Sequence, residues 1–222
     1  MCGIKGKREK ETEMEKEMTI LYEVHDNLYV NLTNRCPCAC TFCLRQTMDE
    51  MNHSGSLWLK REPTVEEVKQ EFRKFEEDGE LSRKYREVVF CGFGEPTERL
   101  EELLEIAAFV KERYRMPIRV NTNGLSDLIH GKPTAPLFRG CVDVVSISLN
   151  TPDKDEYFRL TRSKFGEGSF DALLKFAEEV KEYVPKVVLT TVETTISEED
   201  QTRCREICGR IGVTYRIRPW EG

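Results

Sequence analysis

Hydrophobic residues along this chain follow two patterns, short continuous runs and stretches with helical spacing. The runs predict six buried strands, at residues 28–32, 87–91, 118–121, 142–149, 187–192 and 213–217. Between them, apolar residues recur every three or four positions, as from Val65 to Phe75, which predicts amphipathic helices. Thr64 with Glu67 three residues later is typical of a capping box at the start of that helix.

This alternation predicts the fold class. Strands that alternate with helices pair in parallel through right-handed crossovers. Six units are too few for a closed eightfold barrel, so we expect an α/β fold, an open partial (βα)6 TIM-like barrel over residues 19–222. Residues 1–18 are nearly all charged or small and offer no apolar face, so we expect a charged, disordered N-terminal extension there.

The overall composition is that of a globular protein. The chain has 222 residues, of which 39% are hydrophobic and 33% charged, and its formal net charge of -6 argues against broad nucleic-acid binding. No apolar run approaches the roughly 20 residues that a membrane helix needs, and no secretion signal opens the chain. We therefore expect a cytoplasmic protein with no membrane association.

The cysteines change this picture. Nine cysteines are many for a chain without an export signal, and in a reducing compartment they are more often metal ligands, reactive groups or small buried hydrophobes than disulfides. Cys36, Cys40 and Cys43 form a C-x3-C-x2-C group directly after the first predicted strand. Three such thiolates can hold three irons of a [4Fe-4S] cluster and leave the fourth open for chemistry. A zinc site or free thiols are the alternatives, and Cys38 is left out because it gives no standard spacing.

Polar and glycine-rich segments follow the carboxyl ends of the other predicted strands. They are Gly92 to Pro96, Asn121 to Gly124, Ser146 to Asn150, Glu193, and Arg218 with Pro219. In parallel barrels these ends face one mouth, where active sites are built. The long loop 46–62, which contains His53, follows the first strand and is expected at the same mouth.

With these motifs in place, the sequence resembles the radical S-adenosylmethionine (SAM) enzymes. The resemblance rests on the three cysteines, on Phe42 before the last of them, and on Gly92-Phe93-Gly94-Glu95-Pro96, and it extends over about residues 20–220. Segments 28–35, 57–59 and 143–150 are similar to a smaller group, the TatD-associated radical SAM proteins. That group is named for occurring beside or fused to TatD-family nucleases.

The resemblance implies an enzyme in which SAM, bound to the cluster, is cleaved reductively to a 5'-deoxyadenosyl radical that acts on an unknown substrate. It implies that Cys36, Cys40 and Cys43 ligate the cluster. It also implies SAM contacts from eight residues, namely Phe42, Gly92, Phe93, Gly94, Glu95, Asn123, Ser148 and Asn150. Phe42 would lie beside the adenine, and Glu95 would be a carboxylate partner for the ammonium group of SAM. Asn150 stands where some relatives carry a lysine.

The same resemblance implies partners, and alternative functions stay open. The expected partners are a reducing electron donor of flavodoxin or ferredoxin type and a functionally linked TatD-family nuclease. One alternative is a glycyl-radical activating or peptide-modifying enzyme, and another is a non-catalytic Fe-S- or zinc-binding regulatory protein. Glu193, Arg218 and His53 are further candidates for substrate contact, whereas Cys204 and Cys208 share a helix face and are expected in the core.

Overall fold

Seven strands form one curved sheet in the computed structural model, which describes residues 18–51, 54–76 and 81–219. The strands are β1 (Leu21–Val24), β2 (Asn27–Val30), β3 (Glu87–Phe90), β4 (Ile118–Thr122), β5 (Val144–Ser148), β6 (Lys186–Val192) and β7 (Thr214–Arg218). Their order in the sheet is their order in the chain, and β2 to β7 pair in parallel. Of the predicted N-terminal extension, all but Met18 lies outside the described residues.

Seven helices connect these strands in the part of the chain that the structure describes. They are α1 (Val65–Glu76), α2 (Leu81–Lys84), α3 (Leu100–Tyr114), α4 (Ser126–His130), α5 (Lys154–Thr161), α6 (Ser169–Val180) and α7 (Glu198–Ile211). Their apolar faces cover the sheet, and core residues such as Leu103, Val120 and Ile147 are fully buried. β1 and β7 are the two edge strands of the sheet, and among the described strands they do not pair with each other. The prediction of an open α/β barrel is confirmed.

The sequence prediction missed β1, which pairs antiparallel with β2 through a tight turn at His25 and Asp26. An antiparallel neighbour needs only a two-residue turn, whereas parallel neighbours need a crossover of a dozen or more residues. The strand-helix alternation therefore carries no sign of it. The sheet consists of six parallel strands, as predicted, and one additional edge strand.

The predicted helix starts are present. Thr64 Oγ1 accepts a hydrogen bond from the Glu67 amide at 3.2 Å, and Glu67 Oε2 accepts one from the Thr64 amide at 2.8 Å, which is a capping box before α1. At the start of α7, Ser197 Oγ accepts from the Asp200 amide at 3.1 Å. Among the described residues, no helix combines the length and apolar composition that crossing a membrane requires.

Candidate functional site

A cavity of about 490 Å³ lies inside the curved sheet, and we call it the barrel cavity. Its lining includes Tyr22 and Val24 of edge strand β1 and Arg216 and Arg218 of the opposite edge strand β7. The loops after β2 and β3 complete it at the carboxyl ends of the strands. The barrel cavity therefore lies where parallel barrels build their active sites.

The cysteine loop that follows β2 is supported by the end of α5. The Ala39 amide donates to the Thr161 carbonyl at 2.9 Å, and the Thr41 amide donates to the Leu160 carbonyl at 2.9 Å. The last carbonyls of a helix have no partner within the helix, so the loop supplies the donors that they need. The sequence analysis did not predict α5, because eight residues with only two buried side chains carry little periodicity.

The thiols of this loop differ in their surroundings. Cys40 and Cys43 line the barrel cavity, Cys36 is half-buried, and Cys38 is buried. The Cys38 side chain is hydrogen-bonded to Cys36 and Cys40, which lowers the pKa of these two thiols and raises the pKa of Cys38. Burial raises the pKa of Cys43. The side chains of Cys36, Cys38 and Cys40 therefore lie within hydrogen-bonding reach of one another.

The donor set has the chemistry that a [4Fe-4S] cluster requires. Cysteine thiolates are the usual protein ligands of such a cluster. Cys36, Cys40 and Cys43 are three free cysteines on one loop, and Cys40 and Cys43 line the barrel cavity. These three residues would hold the cluster.

Two glycines allow the loop after β3 to pack directly on the chain that leads into the cysteine loop. A Cβ atom on Gly92 would lie 2.2 Å from Asn31 Oδ1, and one on Gly94 would lie 2.2 Å from the Thr33 carbonyl oxygen. Only glycine permits so close an approach. The glycine-rich segment and the cysteine segment are thus held together by their backbones.

Glu95 is buried between the loops that follow β3 and β4, with 3% of its surface exposed. Its Oε1 accepts from the Thr97 amide at 3.0 Å and from the hydroxyls of Thr97 and Thr122, both at 2.7 Å. Its Oε2 accepts from the Asn123 amide at 2.7 Å. Burial raises the pKa of Glu95 against the opposing effect of these hydrogen bonds. Glu95 therefore joins two loops of the cavity mouth.

The described part of the loop 46–62 packs over the same mouth, as predicted, and the side chain of Asn34 anchors it. The Asn34 side chain donates to the Leu59 carbonyl at 2.8 Å and accepts from the Leu59 amide at 3.1 Å. The rings of Trp58 and Phe93 lie 5.1 Å apart, and Leu57 lines the barrel cavity. His53 lies outside the described residues.

The structure divides the predicted site residues into two groups. Six line the barrel cavity, namely Cys40, Phe42, Cys43, Gly92, Phe93 and Ser148. Five are not part of its lining, namely Cys36, Gly94, Glu95, Asn123 and Asn150. Their roles toward the cluster and SAM stay predictions.

Two residues of the second group have evident structural roles. The Asn123 side chain accepts from the Leu125 amide at 2.9 Å, and its Nδ2 lies 3.9 Å from Cys38 Sγ. Asn150 is buried with a φ of 66°, a left-handed conformation that asparagine tolerates better than most residues. Both therefore shape turns at the ends of β4 and β5.

Sequence reasoning missed two arginines of the barrel cavity, Arg119 and Arg216, and proposed only Arg218. A signal was present, because a charged residue inside a strand of a sheet covered by helices is unusual. Of the other candidates, Glu193 is exposed and is not part of the lining. Cys204 and Cys208 are buried, which confirms that they are core residues.

The sequence comparisons agree with this arrangement. The family described as "Radical SAM superfamily" matches residues 30–205. A probable GTP 3',8-cyclase of Thermococcus kodakarensis is 32% identical over 195 residues, which cover 86% of this chain and 55% of that protein. A GTP 3',8-cyclase of Corynebacterium glutamicum is 33% identical over 140 residues, which cover 61% of this chain and 34% of that protein. The chain thus spans about half of the first relative and a third of the second.

The structural comparison agrees at the level of the fold. Streptococcus suis SuiB, in its crystal structure bound to S-adenosylmethionine, matches with a TM-score of 0.59 and 17% sequence identity. The match covers 87% of this chain and 40% of SuiB. The family implies a [4Fe-4S] cluster and SAM as cofactors, which the cysteine loop fits. Because the family match covers most of its length, this chain belongs to the radical SAM superfamily.

Proposed function

We propose that this chain is a radical SAM enzyme that abstracts a hydrogen atom from a substrate bound in the barrel cavity. One observation carries the proposal. The cysteine loop and the glycine-rich segment, which come from different strands, border a single cavity of about 490 Å³. A protein that used its cysteines only to stabilise the fold would not need a cavity beside them.

In this proposal, Cys36, Cys40 and Cys43 hold the cluster, and SAM occupies the adjoining part of the barrel cavity. When bound, the two cofactors supply the one-electron reduction of SAM and the hydrogen abstraction that follows. Phe42, next to Cys43 in the lining, offers an apolar face for the adenine. Ser148 offers a hydroxyl on the opposite side of the mouth, from the last residue of β5.

Gly92, Gly94 and Glu95 shape the part of the site that would hold the methionine end of SAM. The glycines bring their backbone close to the cysteine loop, where its polar groups can reach a ligand. Both oxygens of Glu95 accept protein hydrogen bonds, which supports a positioning role in addition to the expected contact with the SAM ammonium. Asn123 and Asn150 would contact SAM from the turns at the ends of β4 and β5.

The substrate is a separate question with two candidates. Identity of 32% over 86% of the chain with a probable GTP 3',8-cyclase favours a purine nucleoside triphosphate and a cyclase-like reaction. The resemblance to the TatD-associated group suggests a different, unnamed substrate and a link to a TatD-type nuclease. Adding GTP to the reduced enzyme with SAM distinguishes them, since a cyclase-like enzyme converts GTP and forms 5'-deoxyadenosine in proportion.

Radical SAM enzymes need a reductant, and we propose a flavodoxin or ferredoxin in the cytoplasm for this role. The peptide-modifying or glycyl-radical activating alternative predicts hydrogen abstraction from a polypeptide instead of a small molecule. The non-catalytic alternative predicts a stable cluster or zinc ion with no reaction of SAM.

Anaerobic reconstitution with iron and sulfide tests the cluster. The expected result is about four irons per chain in the wild type and loss of the cluster in Cys40→Ala. Cys38→Ala is the matched control from the same loop, and we expect it to keep the cluster. Zinc in place of iron, or a cluster that survives Cys40→Ala and is lost in Cys38→Ala, would contradict the ligand assignment.

A further inference from the structure

Three arginines face the barrel cavity from its two sides. Arg119 lies on β4, and Arg216 and Arg218 lie two residues apart on β7 and therefore on the same face of that strand. Arg119 is 8% exposed and forms one ion pair, with Glu87 at 2.8 Å. Across the described residues, Arg216 and Arg218 have no carboxylate within ion-pair distance.

Several polar side-chain atoms of residues that line the barrel cavity have no partner among the described residues. The Nε atoms of Arg119 and Arg218 are buried and make no hydrogen bond with any described residue. The same holds for Oδ1 of Asn27 and Asn121, whose side chains also border the barrel cavity. Buried polar groups in native proteins are nearly always hydrogen-bonded, so these donors and acceptors are available to a polar ligand in the barrel cavity.

The charges support the same conclusion. Among the described residues, Glu87 is the one carboxylate that forms an ion pair with any of the three guanidinium groups, which leaves an excess of positive charge. Burial, and then the charges of Arg119 and Arg218, lower the pKa of Arg216. Clustered cations repel each other unless an anion lies between them. Planar guanidinium groups match phosphate and carboxylate oxygens in a bidentate geometry.

We propose that Arg119, Arg216 and Arg218 form an anion subsite that holds a phosphate or carboxylate group of the substrate. Asn27 Oδ1 and Asn121 Oδ1 can only accept hydrogen bonds, so they would bind hydroxyl or amino groups elsewhere on the same ligand. The proposal rests on the function proposed above only in taking this anion to be part of the substrate. Since the subsite and the thiols of Cys40 and Cys43 share one cavity, the anion would orient the rest of the substrate toward the site of hydrogen abstraction.

Calorimetric titration of the reconstituted chain, saturated with SAM, tests the subsite. Inorganic pyrophosphate probes for phosphate and citrate for carboxylate. We expect at least one probe to bind to the wild type. We expect its affinity to fall about tenfold or more in Arg218→Gln and in Arg216→Gln. Arg218→Lys should recover part of the loss. Arg203→Gln is the control, because Arg203 is exposed on α7 and pairs with Asp200 at 2.9 Å.

The same variants separate this proposal from its alternatives. If neither probe binds, or if both bind equally to the wild type and to Arg218→Gln, the anion subsite is wrong. If the arginine variants lose SAM binding and keep probe binding, the arginines hold the SAM carboxylate and the proposal is also overturned. Probe binding by a chain that forms no 5'-deoxyadenosine would support the subsite while refuting the proposed enzymatic function.

Discussion

Glu95 illustrates how a single buried carboxylate organises this site. Its two oxygens accept four hydrogen bonds, from Thr97, Thr122 and Asn123, and thereby connect the ends of β3 and β4. Networks that are fully satisfied in a buried environment are rigid, and partial removal is costly. The sequence indicated that Glu95 belongs to the site, but not that it bonds to the end of β4, because Thr122 and Asn123 lie 27 and 28 residues away along the chain.

Glu95→Gln tests this network. The amide nitrogen of glutamine cannot accept a hydrogen bond, so it faces a donor on one side of the network and leaves that donor unsatisfied. We expect the free energy of unfolding to fall by ~1–3 kcal/mol, measured by urea denaturation. Glu101→Gln is the control, since Glu101 is exposed in the first turn of α3 and should change stability little. Equal stability of the two variants would contradict the account.

Substitutions of Asn150 test the conformation of the turn after β5. With a φ of 66°, it adopts a conformation that costs most L-residues roughly 1–2 kcal/mol. Asn150→Ala should therefore lower the free energy of unfolding by about 1 kcal/mol, while Asn150→Gly, which is free of that strain, should be at least as stable as Asn150→Ala. Thermal unfolding followed by circular dichroism measures both, and a more stable alanine variant would argue against strain at this position.

At the scale of elements, the cysteine loop depends on α5 although the two are more than 100 residues apart in sequence. The strand that precedes the loop and the motif itself were predictable from local patterns. The supporting helix was not, because its amphipathic pattern is weak and its contribution consists of backbone carbonyls at Leu160 and Thr161. A docking contact between backbones leaves no side-chain signature in the sequence.

Removing the N-cap of α5 tests this dependence. Asp153 Oδ1 accepts from the Glu156 amide at 2.8 Å, and Asp153→Ala should cost ~1 kcal/mol of stability and speed the loss of the cluster in air. Ser197→Ala removes a similar cap from α7, which is distant in sequence from the cysteine loop. It should cost a similar stability without changing cluster lifetime. Equal cluster lifetimes in the two variants would show that α5 does not support the loop.

The capping box of α1 predicts a pH dependence. Hydrogen bonds from Arg61 and then from Thr64 lower the pKa of Glu67 to about 2, from its usual 4.5. The folded state binds a proton at the Glu67 carboxyl group less readily than the unfolded state does. The stability that Glu67 contributes is therefore present above pH 4.5 and is lost as the pH falls toward 2. Carbon NMR titration of the Glu67 carboxyl group should show the lowered pKa. A midpoint near 4.5 would mean that the capping box does not form in solution.

At the scale of the whole molecule, the sequence predicted six parallel strands and the mouth at which the motifs meet, but not the shape of the cavity. That shape depends on β1, which adds an antiparallel edge, and on the gap between β1 and β7. Side chains from both edges line the barrel cavity, so its polarity follows from tertiary pairing that no local pattern encodes. Of the arginines of β4 and β7, the sequence analysis proposed Arg218, and the structure added Arg119 and Arg216.

The most direct test of the central claim is the formation of 5'-deoxyadenosine by the reconstituted chain after reduction with dithionite in the presence of SAM. The account predicts that the wild type and Cys38→Ala form it and that Cys36→Ala, Cys40→Ala and Cys43→Ala do not. A wild-type chain that holds a full [4Fe-4S] cluster and binds SAM, yet forms no 5'-deoxyadenosine when reduced, would contradict it.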